Sequence, residues 1–120
     1  MAEHITLGKQ GEEIALQYLK DKGYTILERN WRNRHKEIDI VAKDGGTLVI
    51  VEVKTRHSNT FGEPYEAVTQ VKERLLVSAA NSFIRKFNMD CDTRFDIVSI
   101  ILPHKGKPII EHVEDAFGPC

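Results

Sequence analysis

Four charged residues, Glu37, Asp39, Glu52 and Lys54, interrupt two runs that otherwise have the composition of buried strands. Both runs fall within "EIDIVAKDGGTLVIVEVKTR", residues 37–56, where "IDIVA" and "LVIVEV" consist largely of Ile, Val and Leu. A charge buried without an opposite charge, a metal or solvent is costly, so four of them require an explanation. Hard divalent cations such as Mg²⁺ bind through one or two carboxylates, backbone carbonyls and retained waters. A lysine beside them cannot ligate a cation while protonated, but it can orient a water or steady a developing negative charge. Two acids, a cation and a lysine are together the groups that phosphodiester hydrolysis calls for.

Asp44-Gly45-Gly46-Thr47 is a strong hairpin signal, so the runs are predicted to be antiparallel strands over 37–43 and 47–54. With Gly45 and Gly46 as a two-residue loop, paired residue numbers sum to 91. Asp39 then faces Glu52 and Glu37 faces Lys54, all four on one face, because side chains alternate along a strand. Ile38, Ile40, Ala42, Val49, Val51 and Val53 fill the other face, and a slip of one residue would mix the two sets. Directly opposed Cβ atoms are only ~4.5–5.5 Å apart, a spacing at which like charges repel. Any one of the four could be a solvated strand end, and Glu37–Lys54 an ordinary cross-strand salt bridge. Neither explanation covers Asp39 opposite Glu52, which calls for a cation between them or a proton on one.

Glu12 borders the apolar stripe of a helix predicted over 7–22, whereas Glu13 points away. It can reach over the sheet edge towards the acids or stand as a solvated helix residue, and spacing alone does not choose.

Between Glu28 and Glu37 the chain carries Arg29, Arg32, Arg34 and Lys36, with Trp31 and His35 among them and no acid. The segment reads as a polar loop between a first strand, 24–29, and the strand that holds Asp39. Clusters of Arg and Lys supply the phosphate contacts that dominate nucleic-acid affinity. Arg56 extends the positive charge beyond Lys54, and Gln70, Lys72 and Arg74 on the polar side of a second helix could add contacts. Solvated side chains are the competing explanation, and for the three helix residues the simpler one. Trp31 reads as a packing anchor rather than a platform for bases.

These residues need a scaffold. The helix over 7–22 places Leu7, Ile14, Ala15, Tyr18 and Leu19 on one face and stops at Gly23. After a polar loop over 56–64, Pro64 opens a helix over roughly 64–87 with Val68, Val71, Leu75, Ala79, Phe83 and Phe87 as its stripe. Strands follow over 94–102 and 107–113. The order α-β-β-β-α-β-β predicts an α/β fold, a mixed sheet covered by helices. A chain of 120 residues suits one domain with a real core. Its net charge of −1 means that any nucleic-acid site must come from local clustering. Two isolated cysteines, Cys91 and Cys120, are too few for a disulfide framework or zinc cage. No apolar run is long enough to span a membrane, and "MAEHITLGKQ" lacks a signal-peptide core. A cytoplasmic protein without a membrane partner is expected.

An acid in the first helix, an Asp in one strand and Glu-x-Lys in the next resembles the PD-(D/E)XK nuclease superfamily; here these are Glu12, Asp39 and "EVK" at 52–54. Over nearly the whole chain, "GEEIA", "RNWR", "EIDIVA", "VEVKTR", "FGEPYEAV" and "RFDIV" resemble the uncharacterised bacterial YraN-like family. That family is similar in core and motif order to archaeal Holliday junction resolvases. The resemblance implies a restriction-endonuclease-like fold with Asp39, Glu52 and the Val53 carbonyl as ligands of Mg²⁺ or Mn²⁺. It implies Lys54 as the catalytic lysine and Glu12 as an accessory acid, with Glu37 beside them. Two positions depart from the pattern: Ile38 stands where the superfamily name has Pro, and Lys36 replaces a small residue.

The leading expectation is therefore a metal-dependent endonuclease acting on DNA, including branched DNA. The first alternative is a nucleic-acid-binding module that keeps the acids but lacks turnover. The second is an adaptor protein whose strand charges are salt bridges. Junction resolution would require two sites facing two strands, and hence a homodimer.

Overall fold

The glycine turn closes as its residue types require. In the computed structural model, which describes residues 7–57 and 68–118, Gly45 adopts φ +60°. Asp44 pairs with Thr47, and the ladder continues to Ile40–Val51 in the predicted register. The elements are α1 (Leu7–Asp21), β1 (Thr25–Asn33), β2 (Lys36–Asp44), β3 (Thr47–Arg56), α2 (Gln70–Lys86), β4 (Thr93–Ile101) and β5 (Ile109–Phe117). The strands form one sheet in sequence order, parallel between β3 and β4 and antiparallel elsewhere. A parallel pair cannot be joined by a hairpin, and the crossover here contains α2. This is the expected α/β mixed sheet with two helices, consistent with a restriction-endonuclease-like fold.

Each helix covers one face. Ala15, Leu16 and Leu19 of α1 pack on Ile40, Ala42, Val49, Val51, Val98 and Ile100. Leu76, Ala79, Ala80 and Phe83 of α2 pack with Trp31, Ile38, Val41, Leu48, Ile50 and Phe95. Both faces of β2 and β3 are thus core over the paired region, and Glu37, Asp39, Glu52 and Lys54 lie at the end away from the turn. Ile38 corrects the expected alternation. It lies in the α2-side cluster although Ile40 belongs to the α1 side, so β2 breaks its alternation at Asp39.

Three boundaries differ from expectation. The basic segment is not a loop: β1 runs to Asn33, and only Arg34 and His35 turn the chain before Lys36. Trp31 causes this, because it is buried in T-shaped contact with Phe83 and pairs with Ile38. Helix α2 starts at Gln70, where the Thr69 hydroxyl accepts from the Lys72 N–H as an N-cap. Pro64 and the loop over 58–64 lie outside the described residues, as does Cys120. The stripe expected for this helix is kept in part: Val68, just before α2, Ala79 and Phe83 are buried as expected and Leu76 and Ala80 join them, while Val71, Leu75 and Phe87 are exposed. Strand β5 runs later than expected, to Phe117, beside a bulge opposite Phe95–Ile97. Among the described residues, no helix is long and apolar enough to cross a membrane.

A close approach fixes α1. Gly11 is buried, and a Cβ added there would lie 1.7 Å from Thr55 Oγ1 on β3. Only a residue without a side chain lets the helix come this near, and Glu12 follows it directly.

Candidate functional site

Strands β2 and β3 stop pairing just before the acids. The ladder ends at Ile40–Val51, and beyond it the Val53 N–H donates to Asp39 Oδ2 at 2.9 Å. A side chain thus stands in for a backbone partner. In an extended strand a residue's N–H and C=O point to the same side, so the Val53 carbonyl also faces this gap. Glu52 is only 4% exposed. Lys54 Nζ lies 3.5 Å from its Oε2, and Lys72 Nζ reaches the same oxygen from α2 at 3.7 Å.

The electrostatics follow from this crowding. Burial and then the charge of Asp39 push Glu52 up to about 7, against the opposing pull of Lys72 and Lys54. Asp39 is also raised, chiefly by burial, with the Val53 N–H and Lys72 acting the other way. Glu12 is raised by partial burial and by Asp39, while a hydrogen bond with the Asn30 side chain opposes the shift. Acids from α1, β2 and β3 therefore act on one another at one end of the sheet. Asn30 was not singled out from sequence; its left-handed backbone, φ 52°, is one that Asn adopts more readily than most residues.

A divalent cation fits this donor set. Among the described residues, no three His, Cys, Asp or Glu side chains form a metal-holding group. Mg²⁺ needs fewer, since it binds through one or two carboxylates and keeps several waters. Asp39, Glu52 and the Val53 carbonyl meet that requirement. The two ammonium groups at Glu52 also show that this gap draws positive charge.

Residues 11–100 match the family described as "Uncharacterised protein family UPF0102". The chain belongs to UPF0102. A UPF0102 protein of Phocaeicola vulgatus is 47% identical over 119 residues, spanning 99% of this chain and 98% of its own length. Another, of Bacteroides fragilis, is 49% identical with the same coverage. A third, of Rhodococcus opacus, is 44% identical over 118 residues, 98% of this chain and all of its own. This is the YraN-like family that the motifs resemble. The UPF0102 match takes in Glu12, Asp39, Glu52, Lys54 and Lys72 and stops one residue before the end of β4.

The expected basic and accessory residues of this UPF0102 chain are divided by their contacts. Glu37 does not face Lys54. It pairs with Arg32 across β1–β2, with Arg32 Nε 2.9 Å from its Oε2. Arg29 is bonded to Glu13 of α1, so its guanidinium braces the helix on the sheet. Lys72 turns inward to Glu52 instead of standing on a polar helix face. Among the described residues, no ion pair engages Arg34, Lys36, Gln70 or Arg74. Arg34 sits at the β1–β2 turn with φ 61°, which non-glycine residues seldom adopt. Arg56 ends β3, two residues beyond Lys54.

A second polar network lies on the α1 side of the sheet. Buried Asp96 accepts from Arg94 at 2.9 and 3.1 Å and from the Asp115 N–H at 3.0 Å. His112 Nε2 stands 2.7 Å from the same carboxylate, and Tyr18 of α1 and Lys22, just past the end of that helix, reach the His112 Nδ1. These contacts hold Asp96 below the ordinary carboxylate value although burial opposes them. A charge inside "RFDIVSIIL" is the same kind of signal that marked Asp39, and it could have found Asp96. Here protein groups satisfy the carboxylate, whereas at Asp39 and Glu52 crowding leaves both acids raised.

Proposed function

We propose that this chain is a Mg²⁺- or Mn²⁺-dependent endonuclease that hydrolyses phosphodiester bonds in nucleic acid, DNA in the first instance and branched DNA among its forms. The observation that carries this reading is the convergence of Asp39 and Glu52 where β2 and β3 part, with Lys54 on the same strand as Glu52. Asp39, Glu52 and the Val53 carbonyl would hold the cation. When bound, it would lower the pKa of a water and offset phosphate charge. Lys54, free to leave Glu52 once positive charge is supplied there, orients the attacking water and steadies the charge that develops on the phosphate. Glu12, a raised acid beside Asp39, serves as an accessory acid that can hold a proton near the site. Arg34, Lys36 and Arg74 grip the phosphate backbone, with Arg56 extending that surface beyond Lys54. Arg29 and Arg32, engaged by Glu13 and Glu37, position the hairpin instead.

One observation favours a second reading. Two lysines neutralise Glu52 without any metal, which is what a binding module lacking turnover would also contain. Incubating the protein with linear, flapped and four-way DNA and with RNA, in Mn²⁺ and in EDTA, separates the two. Metal-dependent cleavage that is abolished in Asp39→Ala, Glu52→Ala and Lys54→Ala supports the enzyme. Binding without cleavage of any substrate form selects the module. Resolution of a four-way junction would further require a dimer in solution, measurable by sedimentation.

A further inference from the structure

The two ammonium groups at Glu52 are not equivalent. Lys54 lies two residues along the same strand, and its charge bears on Glu52. Lys72 comes from the first turn of α2, and its charge bears on both Asp39 and Glu52. At 3.7 Å its contact with Glu52 Oε2 is an ion pair too long to be a hydrogen bond. Among the described residues, Glu52 is the one acid that pairs with Lys72. The side chain is 38% exposed, so an outward swing has an open route.

Charge balance gives the contact its meaning. With both acids ionised, Asp39 and Glu52 bring two negative charges, and Lys54 and Lys72 bring two positive ones. A divalent cation between the acids would supply two positive charges by itself, so neither ammonium would then be needed for balance. Lys72 is the one that both acids attract, and it sits on a long flexible stem as a compact point charge.

We propose that Lys72 is the built-in counterion of the metal-free site, held where a divalent cation would bind, and that the cation enters by displacing it. The inference rests on Asp39 and Glu52 being the metal ligands. It makes Lys72 a positioning residue whose departure accompanies metal loading. Without metal, the site stays close to neutral and its acids stay apart from bulk cations.

Calorimetric titration with Mn²⁺ at mildly alkaline pH tests this in wild type, Lys72→Met and Lys72→Arg. Lys20→Met, which removes an exposed lysine of α1, controls for the removal of one surface charge. Lys72→Met should bind Mn²⁺ about tenfold or more tightly than wild type, because a positive charge beside the site has been removed. Its metal-free form should melt below wild type in EDTA, and saturating Mn²⁺ should close that gap. Lys72→Arg and Lys20→Met should bind within about threefold of wild type. Equal or weaker Mn²⁺ binding by Lys72→Met overturns the displacement while leaving the metal site standing. Failure of every folded protein to bind Mn²⁺ overturns the metal site and this proposal together. Should Lys72→Met not fold, Lys72→Gln makes the same comparison with a polar head in place.

Discussion

The backbone N–H of Val53 donates to Oδ2 of Asp39 at 2.9 Å, so a side chain closes the gap where β2 and β3 cease to pair. Asp39 has two separable duties, an acceptor for β3 and a negative charge. Asp39→Asn keeps an acceptor and removes the charge, whereas Asp39→Ala strands the N–H. The alanine variant should be less stable than the asparagine variant by about 1–3 kcal/mol in denaturant titrations. Both should lose cleavage by orders of magnitude, and neither should gain stability from Mn²⁺.

Glu52 gives a pH signature. Its folded value of about 7 lies above the ordinary 4.5, so between these values the folded state holds a proton that the unfolded state has released. Stability from this group therefore falls as pH rises through that window, by roughly 3 kcal/mol in all. Glu52→Gln removes the titration. The metal-free variant should melt above wild type at pH above that window and match it more closely below, with the gap read from melts in EDTA across pH. Wild type should recover in Mn²⁺, gaining about 2–3 kcal/mol at a hundred times the dissociation constant. The variant should not. An apo variant less stable than wild type at every pH would mean that Lys54 and Lys72 satisfy Glu52 fully.

Gly11→Ala tests the seat of α1. Helix propensity alone favours alanine by ~1 kcal/mol. The new Cβ would meet Thr55 Oγ1 at 1.7 Å and Thr55 Cβ at 2.7 Å, and overpacking of this kind costs about 1–3 kcal/mol. A net loss of stability is expected, together with a fall in cleavage as Glu12 moves away from Asp39. Adding Thr55→Gly, which removes all three clashing atoms, Oγ1, Cβ and Cγ2, should restore much of the stability; Thr55→Ser, which keeps Oγ and Cβ, should not.

Arg34→Ala should weaken nucleic-acid binding alike for all sequences and reduce its salt slope by roughly one unit for each phosphate that is no longer neutralised. Arg32→Ala should act mainly through Glu37, its ion-pair partner, with a smaller effect on that slope. Affinity measured across salt concentrations distinguishes the two. A slope unchanged by Arg34→Ala would return that arginine to the solvated surface.

Local rules made the hairpin legible. Asp44-Gly45-Gly46-Thr47 and the alternation beside it set a register that the structure keeps as far as Ile40–Val51. What lay past that point depended on partners far away in sequence. Trp31 drew β1 through the basic segment because Phe83 waits on α2. Ala79 and Phe83 were legible on the stripe of α2, but the sheet took Leu76 and Ala80 beside them and left Val71 and Leu75 exposed. Glu37 has an arginine across the β1–β2 ladder, so the closer cation took it from Lys54. The inward turn of Lys72 follows from where α2 crosses the sheet, and no periodicity along the helix records that.

The seat of α1 on β3 has a consequence for synthesis. The helix carrying Glu12 is made before β3, so the Thr55 surface on which Gly11 rests follows it by more than forty residues of synthesis. Until then α1 has no strand to cover, and Asp39 has neither Val53 nor Glu52 beside it. A nascent chain halted before β3 carries the first acids without the groups that would put them to use. The site is complete only when α1 packs on a strand that did not exist when the helix was made.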